Sequence, residues 1–103
     1  TCALPILMRT TPEECAKLGR EVGEKLSAAT GPTALFIPRK GVSMIAVEGG
    51  PFHDAEADAA LIEAARAACA ANVEVIELDL DVNDPAFSQA MADWLNAQLE
   101  ATA

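Results

Sequence analysis

The sequence predicts an α/β fold: a three-layer sandwich built around a small parallel sheet, as in a fragment of a doubly wound domain. Three short apolar runs are each followed by a polar segment, and each polar segment leads into a stretch with helical periodicity. The resulting order, β-α-β-loop-α-β-α, requires right-handed crossovers between parallel strands. With 103 residues, the chain has room for one domain. We expect strands near residues 4–8, 33–38 and 73–79, and helices near residues 12–29, 55–71 and 85–100.

The first helix has a strong start signal. Thr11 suits the N-cap, Pro12 the first helical position, and Glu14 the return bond of a capping box. Gly19 and Gly23 weaken a helix, so we expect them to allow a close approach to the sheet. Apolar residues at helical spacing predict one buried stripe, formed by Cys15, Leu18, Val22 and Leu26.

The two later strands differ in character. The run Thr33–Ile37 is continuous and bounded by prolines, which is typical of a central strand covered on both faces. The run Val73–Leu80 mixes β-branched and acidic residues, which predicts a position near the sheet edge. Asp54 is placed to cap the second helix, and Asp84 followed by Pro85 marks the start of the third. The last helix is expected to pack through one face that carries Phe87, Met91, Trp94, Leu95 and Gln98.

Charge and composition exclude several classes of partner. The chain has 7 Lys and Arg against 16 Asp and Glu, a formal net charge of −9, which repels nucleic acid and anionic membrane surfaces. No apolar run approaches the roughly 20 residues of a membrane span. The three cysteines contain no C-x-x-C pair, so neither a disulfide framework nor a zinc site is predicted. We therefore expect a cytoplasmic protein in a reducing compartment.

The segment after the second strand, Arg39–Ser43, combines two cations, a glycine and a hydroxyl. This composition suits a small anion such as a phosphate or carboxylate, with Lys40, Gly41 and Ser43 as candidate ligands. It is not a P-loop, because the G-x-x-x-x-G-K-[ST] order is missing. The alternative is a solvated basic turn in an acidic protein.

The loop over residues 41–53 is long enough to indicate a function. Near its end, Gly49 and Gly50 fix an unusual backbone path before the helix cap. His53 is the only histidine, the residue type whose reference pKa lies near neutrality. Beside Asp54 it is a candidate general base or metal ligand. The alternative is a structural cap beside a surface histidine.

The segment after the third strand supplies several oxygen atoms, which suit Mg²⁺ or Ca²⁺. Asp79, Asp81, Asn83 and Asp84 do not match the D-x-[DN]-x-[DN]-G loop, and Asp84 fits an N-cap better. We therefore predict no metal site. The loops after parallel strands share one edge of the sheet. There we expect a shallow cleft lined by Thr10, Lys40, Ser43, Gly50, His53 and Asp81.

Four motifs together resemble one known family. They are LMRTTPEECAKLGR, GPTALFIPRKGVS, GGPFHDAEADAAL and IELDLDVNDPAF. This order is similar to that of the C-terminal domain of the tomato mosaic virus resistance protein and its uncharacterised bacterial relatives. The resemblance runs from about Leu7 to Leu99. It implies a two-domain protein whose N-terminal domain binds ATP and is absent here, and whose C-terminal domain, residues 1–103, has no assigned reaction.

Two function classes follow. The first is a structural or oligomerisation module, with a homodimer as the expected state, because open sheet edges favour association and twofold symmetry is the commonest. The second is half of an interdomain ligand-binding or catalytic site for a small anion or nucleotide phosphate. The resemblance places ATP in the other domain, its partner in intact relatives, so no cofactor and only weak ATP binding are expected of this chain. The candidate ligand-binding residues are Thr10, Lys40, Gly41, Ser43, Gly49, Gly50, His53, Asp54, Asp81 and Asn83.

Overall fold

The computed structural model describes residues 8–102, and this range contains three helices and two strands. In chain order they are α1 (Pro12–Ser27), β1 (Thr33–Pro38), α2 (Ala55–Ala68), β2 (Val73–Leu78) and α3 (Pro85–Thr102). The predicted α/β fold class is confirmed. The strand predicted near residues 4–8 lies outside the described residues, apart from Met8, which is not in a strand.

The strands β1 and β2 pair in parallel along their full length. Thr33 lies beside Val73 at one end of the pair, and Pro38 lies beside Leu78 at the other. The predicted parallel pairing is therefore confirmed. A parallel pair needs a long crossover between its strands. Here the crossover consists of the loop that follows β1 and of the helix α2.

Helices cover both faces of the sheet. On one face, the ring of Phe36 meets the rings of Phe87 and Trp94 from α3 edge-on, with centroid distances of 6.4 Å and 6.5 Å. Glu77 lies on the opposite face in this register, because side chains alternate along a strand. There it pairs with Arg66 of α2 at 3.3 Å. The sheet is thus the middle layer, with α3 on one side and α2 on the other.

The closest approach of two helices joins α1 to α2, and glycines make it possible. Gly19 and Gly23 are both buried on α1. A Cβ atom at Gly19 would lie 2.4 Å from Leu61 O, and one at Gly23 would lie 2.5 Å from Ala68 Cβ. The prediction that these glycines approach the sheet is wrong, because the surface that they contact belongs to α2.

The buried stripe of α1 is displaced by one residue from the prediction. Cys15, Gly19 and Gly23 are buried, whereas Leu18 and Val22 are 45% and 40% exposed. The helix turns its smallest residues toward α2, because these residues allow the two backbones to approach. The larger apolar side chains are left at the surface as a consequence.

The helix ends also differ from the prediction by two or three residues. α1 ends at Ser27, whose hydroxyl donates to Gly23 O at 2.7 Å and accepts from Ala70 N at 2.8 Å. α2 ends at Ala68, because Cys69 has extended dihedral angles. These bonds tie the end of α1 to the turn that leads into β2.

Two global expectations concern membranes and cysteines. From residue 8 to residue 102, no helix is both long and apolar enough to cross a membrane. Cys15 and Cys69 are free thiols. Cys2 lies outside the described residues.

Candidate functional site

The loops after β1 and β2 stay side by side beyond the ends of the strands. Lys40 N donates to Leu80 O at 3.1 Å, and Val82 N donates to Gly41 O at 2.9 Å. Gly41 and Asp81 form an isolated parallel bridge. Both loops are therefore fixed at the carboxyl edge of the sheet.

A groove of about 340 Å³ opens at this edge, and we call it the edge groove. Three of the residues predicted to share the edge, Lys40, His53 and Asp81, line it together. An adjoining cavity of about 170 Å³ also contacts Lys40 and His53 and reaches the first turn of α2. The full lining of the edge groove is Arg39, Lys40, Val47, Glu48, His53 and Asp81.

The cations of the edge groove differ in how they are paired. Arg39 forms an ion pair with Glu77, which also binds Arg66. Lys40 Nζ lies 3.8 Å from Asp79 Oδ2, and both side chains are largely exposed. Exposed pairs of this kind contribute roughly 0–1 kcal/mol, so the pair with Asp79 holds Lys40 only weakly.

Thr10 and Ser43 do not line the edge groove. They line a separate cavity of about 220 Å³, which we call the Met8 cavity, together with Met8, Leu18 and other mainly apolar residues. Thr10 Oγ1 lies 3.0 Å from Cys15 Sγ, within hydrogen-bond distance. Five of the six residues expected in one cleft are thus divided between two openings, and the sixth, Gly50, lines neither of them.

The loop over residues 41–53 folds back on itself. Gly50 N donates to Val47 O at 2.8 Å, and Phe52 N donates to Ile45 O at 2.9 Å. Gly49 has a φ angle of +83°, which glycine adopts without the steric penalty of other residues. This path delivers His53 to the edge groove.

The acidic candidates are occupied by local hydrogen bonds. Asp54 caps α2 by accepting from Ala57 N at 3.0 Å. Asp81 accepts from Asn83 N at 2.8 Å, and Asp84 accepts a backbone hydrogen bond in the first turn of α3 at 2.9 Å. In the part of the chain that the structure describes, no group of three or more His, Cys, Asp or Glu side chains is placed to hold a metal ion.

Sequence reasoning missed Arg9, a largely buried charged side chain that binds the end of the loop over residues 41–53. Its Nη1 donates to Phe52 O at 2.8 Å, and its Nη2 pairs with Asp58. The side chains of Arg9 and Asp58 are only 16% and 15% exposed. We call this arrangement the Arg9 clamp. It holds the backbone next to His53 against the first turn of α2.

The Arg9 clamp changes the pKa of the guanidinium group and leaves one of its nitrogen atoms without a hydrogen-bond partner among the described residues. The hydrogen bond to Asp58 raises the pKa of the Arg9 guanidinium above its already high ordinary value, so Arg9 stays charged. Its Nε is buried without a hydrogen-bond partner among the described residues. An unmade buried bond costs about 1–3 kcal/mol, which reduces the net stabilisation by the clamp. No sequence signal marks Arg9, since its partners lie 43 and 49 residues away.

Comparison with known proteins identifies the family. Residues 3–99 match the sequence model described as "Uncharacterised protein family (UPF0261) C-terminal domain". The chain is 48% identical over 86 residues to a UPF0261 protein of Rhizobium meliloti, covering 82% of this chain and 22% of that protein. It is 45% identical over 92 residues to one of Mesorhizobium japonicum, covering 87% and 23% respectively.

A plant protein is also similar. The chain is 34% identical over 89 residues to the ToMV resistance protein Tm-1(GCR237) of Solanum lycopersicum, covering 84% of this chain and 12% of that protein. The chain spans less than a quarter of the length of these three relatives. The match over residues 3–99 and the identity to the bacterial relatives show that the chain belongs to the UPF0261 family, as its C-terminal domain.

Proposed function

We propose that this domain is a structural and assembly module that forms a homodimer through α3. One observation carries the proposal: α3 leaves Met91 and Leu95 39% and 53% exposed. The two residues are four positions apart, so they lie on adjacent turns of one helix side. They form an apolar stripe beside the rings of Phe87 and Trp94.

The sheet beneath α3 supports the same proposal. Phe36 and Ile76 lie on the α3 side of the sheet and are only half-buried. A parallel sheet is normally covered on both faces. A second copy of the chain offers an identical apolar stripe, and twofold symmetry buries both stripes at once.

The negative charge of the chain opposes this dimer and makes its stability depend on ionic strength. Each copy carries a formal net charge of −9, and α3 itself contains Asp93 and Glu100 but no basic residue. Repulsion between the copies is screened by salt. Raising the ionic strength should therefore strengthen the dimer.

The test is light scattering on a size-exclusion column over a range of protein concentrations. We expect a dimer mass for the parent, a monomer mass for Leu95→Lys, and a dimer mass for the control Asn96→Lys. Asn96 is exposed on the next position of α3, so the control adds the same charge off the stripe. A monomer mass for the parent at about 100 μM, a concentration that fills interfaces with Kd below about 100 μM, contradicts the proposal.

A second candidate function is supported by a different observation. Lys40 and His53, both expected at the edge from the sequence, line the edge groove together with Arg39. We propose that the groove is one wall of a site for a small anion or nucleotide phosphate, and that another domain forms the other wall. The groove also contains Glu48 and Asp81, so the isolated domain should bind ATP only weakly.

The single histidine makes this second candidate testable. An anion bound between Lys40 and His53 changes the electrostatic environment of the His53 ring. We expect inorganic phosphate to shift the NMR signals of the His53 ring in the parent and in the control Lys17→Ala but not in Lys40→Ala. Unshifted signals in the parent, in the isolated domain and in a full-length relative, exclude the site. ATP binding tighter than about 1 μM, or −8 kcal/mol, contradicts the expected weakness.

A further inference from the structure

We infer that the Met8 cavity is the docking surface for the polypeptide that precedes this domain in full-length UPF0261 proteins. The cavity measures about 220 Å³, and apolar side chains such as Leu18, Val42 and Phe52 form most of its lining. At its rim, Met8 is 90% exposed and Leu18 is 45% exposed. Large apolar side chains grouped around an opening are typical of a surface that a partner covers.

The length of the relatives identifies the occupant. The matched region is a C-terminal domain, and this chain spans 22% and 23% of two bacterial relatives. More than three quarters of those proteins therefore lies outside the matched region, and the match to a C-terminal domain indicates that polypeptide precedes it in sequence. Chain connectivity brings a preceding polypeptide to the domain at Met8, which is itself on the rim of the cavity.

The lining defines the chemistry of the occupant. Its apolar walls favour apolar side chains, because removing apolar surface from water is favourable. Thr10 Oγ1 lines the cavity and already lies within hydrogen-bond distance of Cys15 Sγ, at 3.0 Å. Arg9 lines it too, but the clamp already engages its terminal nitrogens. The Ser43 hydroxyl also lines the cavity and requires a hydrogen-bond partner once water is excluded. The occupant is therefore an apolar segment that presents a hydrogen-bonding group to Ser43.

This surface is distinct from the proposed dimer face. Met91 and Leu95 lie on α3, which covers the other side of the sheet from α2. The Met8 cavity is bounded instead by α1, by Leu61 of α2 and by the loop after β1. Docking at the Met8 cavity therefore does not depend on dimerisation through α3.

Methionine oxidation tests the inference in a full-length family protein that carries this domain. Hydrogen peroxide oxidises exposed methionines, and mass spectrometry resolves Met8 from Met91 on α3. We expect Met8 in the full chain to oxidise about tenfold more slowly than N-acetyl-methionine amide, because the docked segment covers it. Leu18→Asp should raise the Met8 rate by about tenfold, since the charge opposes docking in an apolar cavity.

The control is Val22→Asp, one turn further along α1, where the side chain is 40% exposed and does not line the cavity. It should change the Met8 rate by less than about twofold. Oxidation of Met8 at the rate of the amide, or an equal effect of both variants, overturns the inference. If Leu18→Asp lowers the helical circular dichroism signal, Leu18→Gln takes its place with the same expected direction. The Met91 rate reports dimerisation separately, because it should depend on protein concentration and not on Leu18.

Discussion

The two sides of the sheet are packed by different means. On the α2 side, α1 and α2 meet backbone to backbone at Gly19 and Gly23. On the α3 side, aromatic rings from Phe87 and Trp94 reach down to Phe36 over more than 6 Å between centroids. Small residues bring two helix backbones into direct contact, whereas large rings span a greater distance and leave surface open beside them.

The two kinds of contact should differ in how well they tolerate amino-acid substitutions. A contact between backbones has no side-chain atoms that can shift, so any added atom must move a helix. A contact between rings keeps most of its area when one ring is exchanged for another. The α1–α2 side should therefore be the sensitive side and the α3 side the tolerant one, which leaves α3 available for association.

The largest effect is expected from Gly19→Ala. The new Cβ would lie 2.4 Å from Leu61 O, a backbone atom, so α1 and α2 must separate. We expect a loss of about 3 kcal/mol in the free energy of unfolding, although alanine favours helix by about 1 kcal/mol. Urea denaturation measures this loss of stability. The control is Gly31→Ala, where a Cβ meets no atom within 4 Å. A Gly19→Ala variant as stable as the parent would show that the α1–α2 contact is not rigid.

A smaller loss is expected when the Arg9 clamp is broken on the same side of the sheet. Arg9→Gln leaves Asp58 about 85% buried without its cation and removes the donor to Phe52 O. We expect a loss of about 2 kcal/mol in urea denaturation. Arg39→Gln is the matched control, because the pair of Arg39 with Glu77 is more exposed and should contribute less than about 1 kcal/mol. Equal losses for the two variants contradict this account.

On the α3 side, Trp94→Phe should have a weaker effect. The exchange keeps an aromatic ring against Phe36 but removes the indole N–H that donates to Glu74 Oε2 at 2.9 Å. We expect a loss below about 1 kcal/mol by urea denaturation. Glu74→Gln keeps an acceptor oxygen and should be close to neutral. A loss for Trp94→Phe as large as that for Gly19→Ala would show that the α3 side is as sensitive to substitution as the α1–α2 side.

Local interactions explain which features the sequence predicted correctly. The caps formed by Thr11, Asp54 and Asp84 join residues two or three positions apart, so residue type and spacing are enough to identify them. The parallel sheet places the loop that begins at Lys40 at its carboxyl edge, and this loop also leads to His53. These features depend on short-range chemistry or on a general rule of connection.

Features that depend on tertiary packing were not predictable in this way. Leu18 and Gly19 are neighbours on α1, and periodicity alone favoured burial of the larger residue. The alanines of α2 decide otherwise, because they permit a backbone contact that only Gly19 can make. The separation of Ser43 from the edge groove likewise depends on the folding of the loop over residues 41–53.

The smallest effect concerns the capping box at the start of α1, and it depends on pH. Thr11 N donates to Glu14 Oε1 at 2.9 Å, and Glu14 N donates to Thr11 Oγ1 at 3.2 Å. The hydrogen bond from the Thr11 backbone lowers the pKa of Glu14 in the folded protein. The stabilisation is therefore present above the ordinary Glu pKa of about 4.3 and is lost as the pH falls through the lower folded value.

The variant Glu14→Gln keeps an acceptor oxygen but removes the titrating carboxylate. The difference in stability between parent and Glu14→Gln, measured by urea denaturation, should shrink only below about pH 4.3. The control is Glu13→Gln, which leaves both hydrogen bonds of the capping box in place. A difference that stays constant through this range would mean that the charge on Glu14 does not contribute to the cap.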